Sequence, residues 1–149
     1  MRVAIGADHA GFELKEDIRA RLEEEGFDVV DLGTSSVAPV DYPDFSAAVA
    51  RAVARGDTER GVIVCGSGAG ASIAAGKITG IRCATVHDVY SAHQSVEHDN
   101  MNVLALGSRV LGPALAWEIV TTFLEARFTG EERHLRRLRK VEELDRSRE

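Results

Sequence analysis

The sequence predicts an α/β fold, a Rossmann-like three-layer αβα sandwich built on a five-stranded parallel sheet. Short runs rich in β-branched residues alternate with longer stretches of helical period, which is the pattern of successive βαβ units. The turns that follow the first and third runs are rich in glycine, as tight strand-to-helix connections require. At 149 residues with 44% apolar content, the chain is the size of one domain with one core, so residues 1–149 are expected to form a single unit.

The expected strands are Arg2 to Gly6, Asp28 to Leu32, Gly61 to Cys65, Arg82 to His87 and Asn102 to Leu106. Between the first two, Leu14, Ile18 and Leu22 recur at intervals of four beside Phe12, with Glu and Arg opposite. That spacing predicts an amphipathic helix, closed by Gly26. Phe45, Val49 and Val53 repeat the interval after Pro43, a residue suited to a first helical turn, and Gly56 ends the segment. A helix is expected to begin near Gly70, after the third strand. Leu115, Ile119 and Phe123 mark another after Gly112 and Pro113, and Thr129-Gly130 separates it from a charged C-terminal helix or arm over 131–149. Arg133, Arg136, Arg137 and Arg139 fall among glutamates there, which by itself describes a solvated helix face.

A formal charge of −6 and a pI near 5.4 argue against general affinity for nucleic acid or an anionic membrane. Two cysteines in or beside apolar runs point to a reducing compartment rather than a disulfide framework. With no leader pattern and no apolar stretch of bilayer length, a soluble, cytoplasmic protein is expected.

In open parallel sheets, ligands bind outside the carboxyl ends of the strands, where loops and helix amino ends converge. The first strand is followed by Asp8, His9 and Gly11, the third by Cys65-Gly66-Ser67-Gly68-Ala69-Gly70, and the fifth by Ser108 and Arg109, with His98-Asp99-Asn100 just before it. These groups are expected to meet in one cleft. Glycines at alternate positions let successive N–H groups turn toward one point and form an anion nest. Steric need in a tight turn explains them equally well when they are taken alone. Cys65 stands immediately before this nest. A thiol so placed ionises more readily than a free one, whereas Cys83, early in its strand, reads as an inert core residue. His9 and His98 become proton-transfer candidates on separate loops, while His87, His93 and His134 can each be structural groups. The five histidines form no metal motif, so no metal is expected.

The Walker spacing fails, since five residues separate Gly70 from Gly76 and Ile78 follows Lys77. A tyrosine phosphatase loop is excluded by Ala71, where that chemistry needs arginine. A dinucleotide fingerprint survives better, because Gly66, Gly68 and Ala71 have its spacing and Asp88 lies 22 residues after Gly66.

Six separated segments, GADHAGFELK, DYPDFSAAVA, VCGSGAGASIAAGK, GIRCATVHD, HDNMNVLALGSR and ERHLRRLRKVE, together resemble the ribose-5-phosphate isomerase B and galactose-6-phosphate isomerase family over essentially the whole chain. The resemblance implies reversible isomerisation of D-ribose 5-phosphate and D-ribulose 5-phosphate through a cis-enediolate, with no cofactor. It implies Cys65 as the base at C1 and C2, Ser67 as a hydroxyl assisting proton transfer between oxygens, and the backbone of Gly66, Gly68, Ala69 and Gly70 as the hole for the enediolate oxygen. His98 corresponds to the residue that opens the sugar ring, and Asp8 lies near the ring or its hydroxyls. Phosphate ligands are implied at His9, Arg133 and Arg137, the arginines arriving from a neighbouring subunit of a homodimer or dimer of dimers whose sites lie at the interface. Tyr42, Asn100 and Arg109 complete the implied substrate contacts. One branch of the family uses a glutamate in the helix after the nest; here that position is Ala71, which leaves Cys65. The segment His98-Asp99-Asn100 departs from the usual His-Asn-Asp or His-Asn-Asn.

The chemistry agrees with these residues independently of the name. Moving a carbon-bound proton needs a base, an oxyanion hole, a ring-opening group and a phosphate anchor. Arg133 and Arg137 are one helical turn apart and can face one phosphate. Three alternatives stay open: a six-carbon aldose phosphate such as allose or galactose 6-phosphate, a dinucleotide-binding module using Asp88, and a catalytically silent phosphosugar sensor.

Overall fold

The computed structural model describes residues 1–147; positions 148 and 149, the end of the expected 131–149 segment, lie outside the described residues. In chain order the elements are β1 (Arg2–Ala7), α1 (Phe12–Glu24), β2 (Asp28–Asp31), α2 (Tyr42–Ala54), β3 (Arg60–Cys65), α3 (Ala69–Ala75), β4 (Cys83–Thr85), α4 (Val89–Asp99), β5 (Val103–Gly107), α5 (Pro113–Glu125) and α6 (Glu132–Arg146). Every expected strand is present. β4 is the shortest, and it lies at a sheet edge, where a short strand limits exposed backbone.

Helix α4 was not anticipated. It buries only Ala92 and Val96, one turn apart, so its apolar stripe is too narrow to stand out. Its start is nonetheless written in the sequence. The Asp88 side chain caps it by accepting the Ser91 N–H at 2.6 Å, and that hydrogen bond holds the carboxyl below its ordinary range.

All strands run parallel in the order β2-β1-β3-β5-β4. Alternate residues serve opposite layers. Val3, Ile5 and Ala7 of β1 pack with Ile18 and Leu22 of α1, Val96 of α4 and Phe123 of α5. Ala4 faces the other way, into the core made with Val49 and Val53 of α2 and Ala71 and Ala75 of α3, the layer that also contains Cys65. Each fully buried Ile or Leu contributes about 1.5–3 kcal/mol, so the two faces fix both register and layer order.

The chain passes from β1 outward to β2, then returns to place β3 on the other side of β1. The crevice between the carboxyl ends of β1 and β3 is therefore the topological switch point, where such folds bind ligands. Helix α6 stands apart from both layers. It packs on α4 and buries only His134 and Leu138. Among the described residues no helix is long and apolar enough to cross a membrane.

Candidate active site

At the switch point lies a cleft of about 340 Å³ lined by Asp8, His9, Ala10, Tyr42, Cys65, Gly66, Ser67, Gly70, Arg109 and Val110. The loop after β1 is pressed onto β3: a Cβ on Gly11 would fall 2.2 Å from the Val64 carbonyl oxygen, so only glycine allows this approach. Asp8 turns that loop by accepting the Gly11 N–H at Oδ1, 3.0 Å away. The next residue, His9, accepts the Val40 N–H at Nδ1, which ties it to the segment leading into α2.

Cys65 ends β3, is 5% exposed, and lines the cleft. Its Sγ accepts the Gly68 N–H at 3.1 Å. Gly68 has φ +81°, the left-handed region, and this bend turns its amide back toward the sulfur. Thr85 of β4 braces the bend by donating its hydroxyl to the Gly68 carbonyl at 2.9 Å. The Ser67 hydroxyl accepts the Ala69 N–H at 3.2 Å. The exit of β5 secures the same loop, since Ser108 and Arg109 donate backbone N–H groups to the carbonyls of Cys65 and Gly66. The Arg109 guanidinium lies over Gly66, and the Tyr42 ring packs where a side chain on Gly70 would go.

The remaining expected residues are elsewhere. His98 belongs to the last turn of α4 rather than to a loop, and Asn100 caps that helix in a left-handed conformation with φ 51°. Both precede β5, whereas the register sets Cys65 opposite Gly107 at its far end. Four strand steps from Val103 to Gly107 amount to about 13 Å, so within this chain His98 stands away from the Cys65 cleft. The expected convergence of all these groups in one cleft is corrected accordingly: the crossover through α4 carries the chain back to the amino edge of the sheet before β5 begins. Here His98 stacks on His134, with ring centroids 4.1 Å apart and planes 17° from parallel, and the Gln94 amide donates to His98 Nδ1 at 2.9 Å. Arg133 and Arg137 flank His134 on α6, both exposed. The chain thus carries two separate polar clusters, one at each edge of the sheet.

Of the other histidines, His87 accepts the Gly107 N–H at Nε2 and His93 pairs with Glu97 on its own helix. Both are partnered within the fold. Burial pushes the Cys83 thiol up to about 12, in keeping with an inert residue. Asp88, the acid of the dinucleotide reading, is occupied as a helix cap. No group of three His, Cys, Asp or Glu side chains among the described residues is placed to hold a metal ion.

Three features escaped sequence reasoning. Ala10 and Val110 line the cleft but carry no chemistry that would flag them. Lys15 is fully buried, its Nζ bound to the Asp31 carboxylate at 2.9 Å and the Thr34 carbonyl at 2.7 Å. Its position three residues before Ile18, on the buried stripe of α1, was the available signal.

Residues 3–141 match the family described as Ribose/Galactose Isomerase. The chain is 44% identical over 147 residues to ribose-5-phosphate isomerase B of Escherichia coli, covering 99% of this chain and 98% of that protein. It is 42% identical over 146 residues to a putative sugar phosphate isomerase of Bacillus subtilis, with 97% of each covered. The structure of ribose-5-phosphate isomerase B from Clostridium thermocellum superposes with a TM-score of 0.98 at 46% identity, covering 100% of both chains.

Proposed function

This chain belongs to the Ribose/Galactose Isomerase family, and from that membership we propose that it interconverts D-ribose 5-phosphate and D-ribulose 5-phosphate. The reaction is an aldose–ketose isomerisation. Cys65 takes the proton from C2 of the open-chain aldose, giving a cis-enediolate, and returns it to C1. Ser67 assists the matching transfer between O2 and O1. C1 is reduced as C2 is oxidised, so the reaction balances without an external redox partner.

The observation that carries this reading is the sulfur of Cys65, walled in on the protein side yet lining the switch-point cleft, with the Gly68 N–H directed at it. Backbone amides of the Gly66 to Gly70 turn stabilise the enediolate oxygen, a contribution of about 2–4 kcal/mol per well-placed donor. His9 and Arg109 supply positive or hydrogen-bonding groups at the cleft, and Asp8, with Oδ1 engaged by Gly11, offers Oδ2 to the sugar hydroxyls.

The second cluster comes from a neighbouring copy in a homodimer or dimer of dimers. His98 opens the furanose, Asn100 contacts the sugar, and Arg133 with Arg137 clamps the phosphate. Two facts support this arrangement: the separation of the clusters along β5, and the exposed apolar side chains of Tyr42, Ile73, Tyr90 and Val110. The protein works in the cytoplasm.

The test is turnover of ribose 5-phosphate against allose and galactose 6-phosphates, using wild type and Cys65→Ala. The highest kcat/KM should fall on the five-carbon sugar and collapse in the variant. Activity that survives Cys65→Ala, or none on any of these sugars, overturns the reading.

A further inference from the structure

His134 is 3% exposed, and its Nε2 has no hydrogen-bond partner among the described residues. A buried polar atom left unpaired costs stability that an apolar side chain of the same volume would not. What the imidazole adds is a flat face, laid on His98 at 4.1 Å. His134 and Leu138 are the two residues that α6 buries, so this stack is part of how α6 packs on α4.

We propose that His134 is a positioning residue for ring opening, holding the His98 ring in one plane and in register with Arg133 and Arg137 on either side of it. The inference rests on the reading of His98 as the ring-opening group. Gln94 pins the Nδ1 edge of His98 and leaves Nε2 as the nitrogen offered to a sugar, while His134 blocks rotation through one face. Charged neighbours on both helices are otherwise engaged or turned outward. On α4, Glu97 pairs with His93 and Asp99 is exposed; beside α6, Glu131 pairs with Arg133. Burial, the adjacent His98 and the two arginines hold His134 below its ordinary pKa, so the stacked ring stays neutral near pH 7.

A general loss of structure would damage all substrates alike, whereas misplacing His98 damages only the one that must be opened. Ribose 5-phosphate is a closed furanose in water; ribulose 5-phosphate, with its C5 oxygen esterified, is acyclic. Turnover of both sugars should therefore be measured for wild type, His98→Asn, His134→Ala, His134→Phe and the His98→Asn/His134→Ala double variant. His134→Ala should lower kcat on the furanose roughly tenfold or more while leaving the acyclic ketose within about twofold. In the His98→Asn background it should cost nothing further, and His134→Phe, which keeps a stacking face, should restore most of the furanose rate. Equal losses on both sugars, losses that multiply with His98→Asn, or a Phe variant as impaired as Ala would overturn the proposal. If His98→Asn itself failed to separate the two sugars, the ring-opening assignment would fall and this inference with it. Absence of wild-type turnover would instead refute the isomerase reading.

Discussion

The two cysteines differ by environment alone. Cys83 is half-buried at the start of the edge strand, and burial, which pushes its thiol up to about 12, keeps it protonated at pH 8. Cys65 has the Gly68 N–H on its sulfur and a cleft in front of it. Haloacetate at pH 8 should therefore label Cys65 and abolish turnover while leaving Cys83 free, as peptide mass mapping would show; first labelling at Cys83 would contradict this. Replacing Cys83 by Ser should leave kcat within about twofold, whereas Cys65→Ser should lower it roughly 10²–10⁴-fold, the range for loss of a proton-transferring group. Cys65 was legible in the sequence because its position before a glycine run is a one-dimensional feature. Lys15 was not, because its partners Asp31 and Thr34 sit 16 and 19 residues away and meet it only once α1 packs on the sheet.

Elements succeed or fail by how their buried faces are written. Helices α1, α2 and α5 show apolar residues at intervals of four and were readable; α4 buries two small residues among polar ones and was not. Lys15 is the clasp between α1 and the exit of β2, so Lys15→Ala should lower stability by about 2–3 kcal/mol, less than a fully buried pair because Asp31 and Glu16 are each 33% exposed. A urea midpoint that falls with unchanged slope would confirm it, and an unchanged midpoint would refute it. The attachment of α6 carries a pH dependence of definite sign. His134 has its pKa lowered from 6.5 by burial, His98, Arg133 and Arg137, with Glu131 opposing. Between its folded and unfolded values the unfolded chain holds the extra proton, so stability rises with pH there. The full contribution is present above about pH 6.5 and is lost as pH falls below it. Thermal melts from pH 8 to pH 5 should show wild type losing more than His134→Phe; parallel curves would exclude the ring as the titrating group.

At the scale of the whole molecule, strand direction governs which residues can meet. The groups after β1, β3 and β5 share one edge because all strands are parallel, and that part of the site could be read from motifs alone. The same rule sends anything that precedes a strand to the opposite edge. His98 and Asn100 precede β5, so their place followed from chain order, although the shared motif content suggested a common cleft. In the proposed arrangement, the amino-edge cluster of one copy completes the carboxyl-edge cleft of another. Mixing two inactive variants tests this directly. On that arrangement Cys65→Ala lacks the proposed base and Arg137→Ala lacks part of the proposed phosphate clamp. In a mixed dimer, one site combines both defects and the other combines an intact Cys65 from one copy with an intact Arg137 from the other. Random exchange of equal amounts makes half of the dimers mixed, each with one of two sites intact, so about one quarter of wild-type activity should return. The return should follow the rate of subunit exchange and be absent when each variant is cross-linked as a homodimer before mixing. A mixture that stays inactive after exchange is demonstrated would mean that both residues act within one chain, and would overturn the shared site.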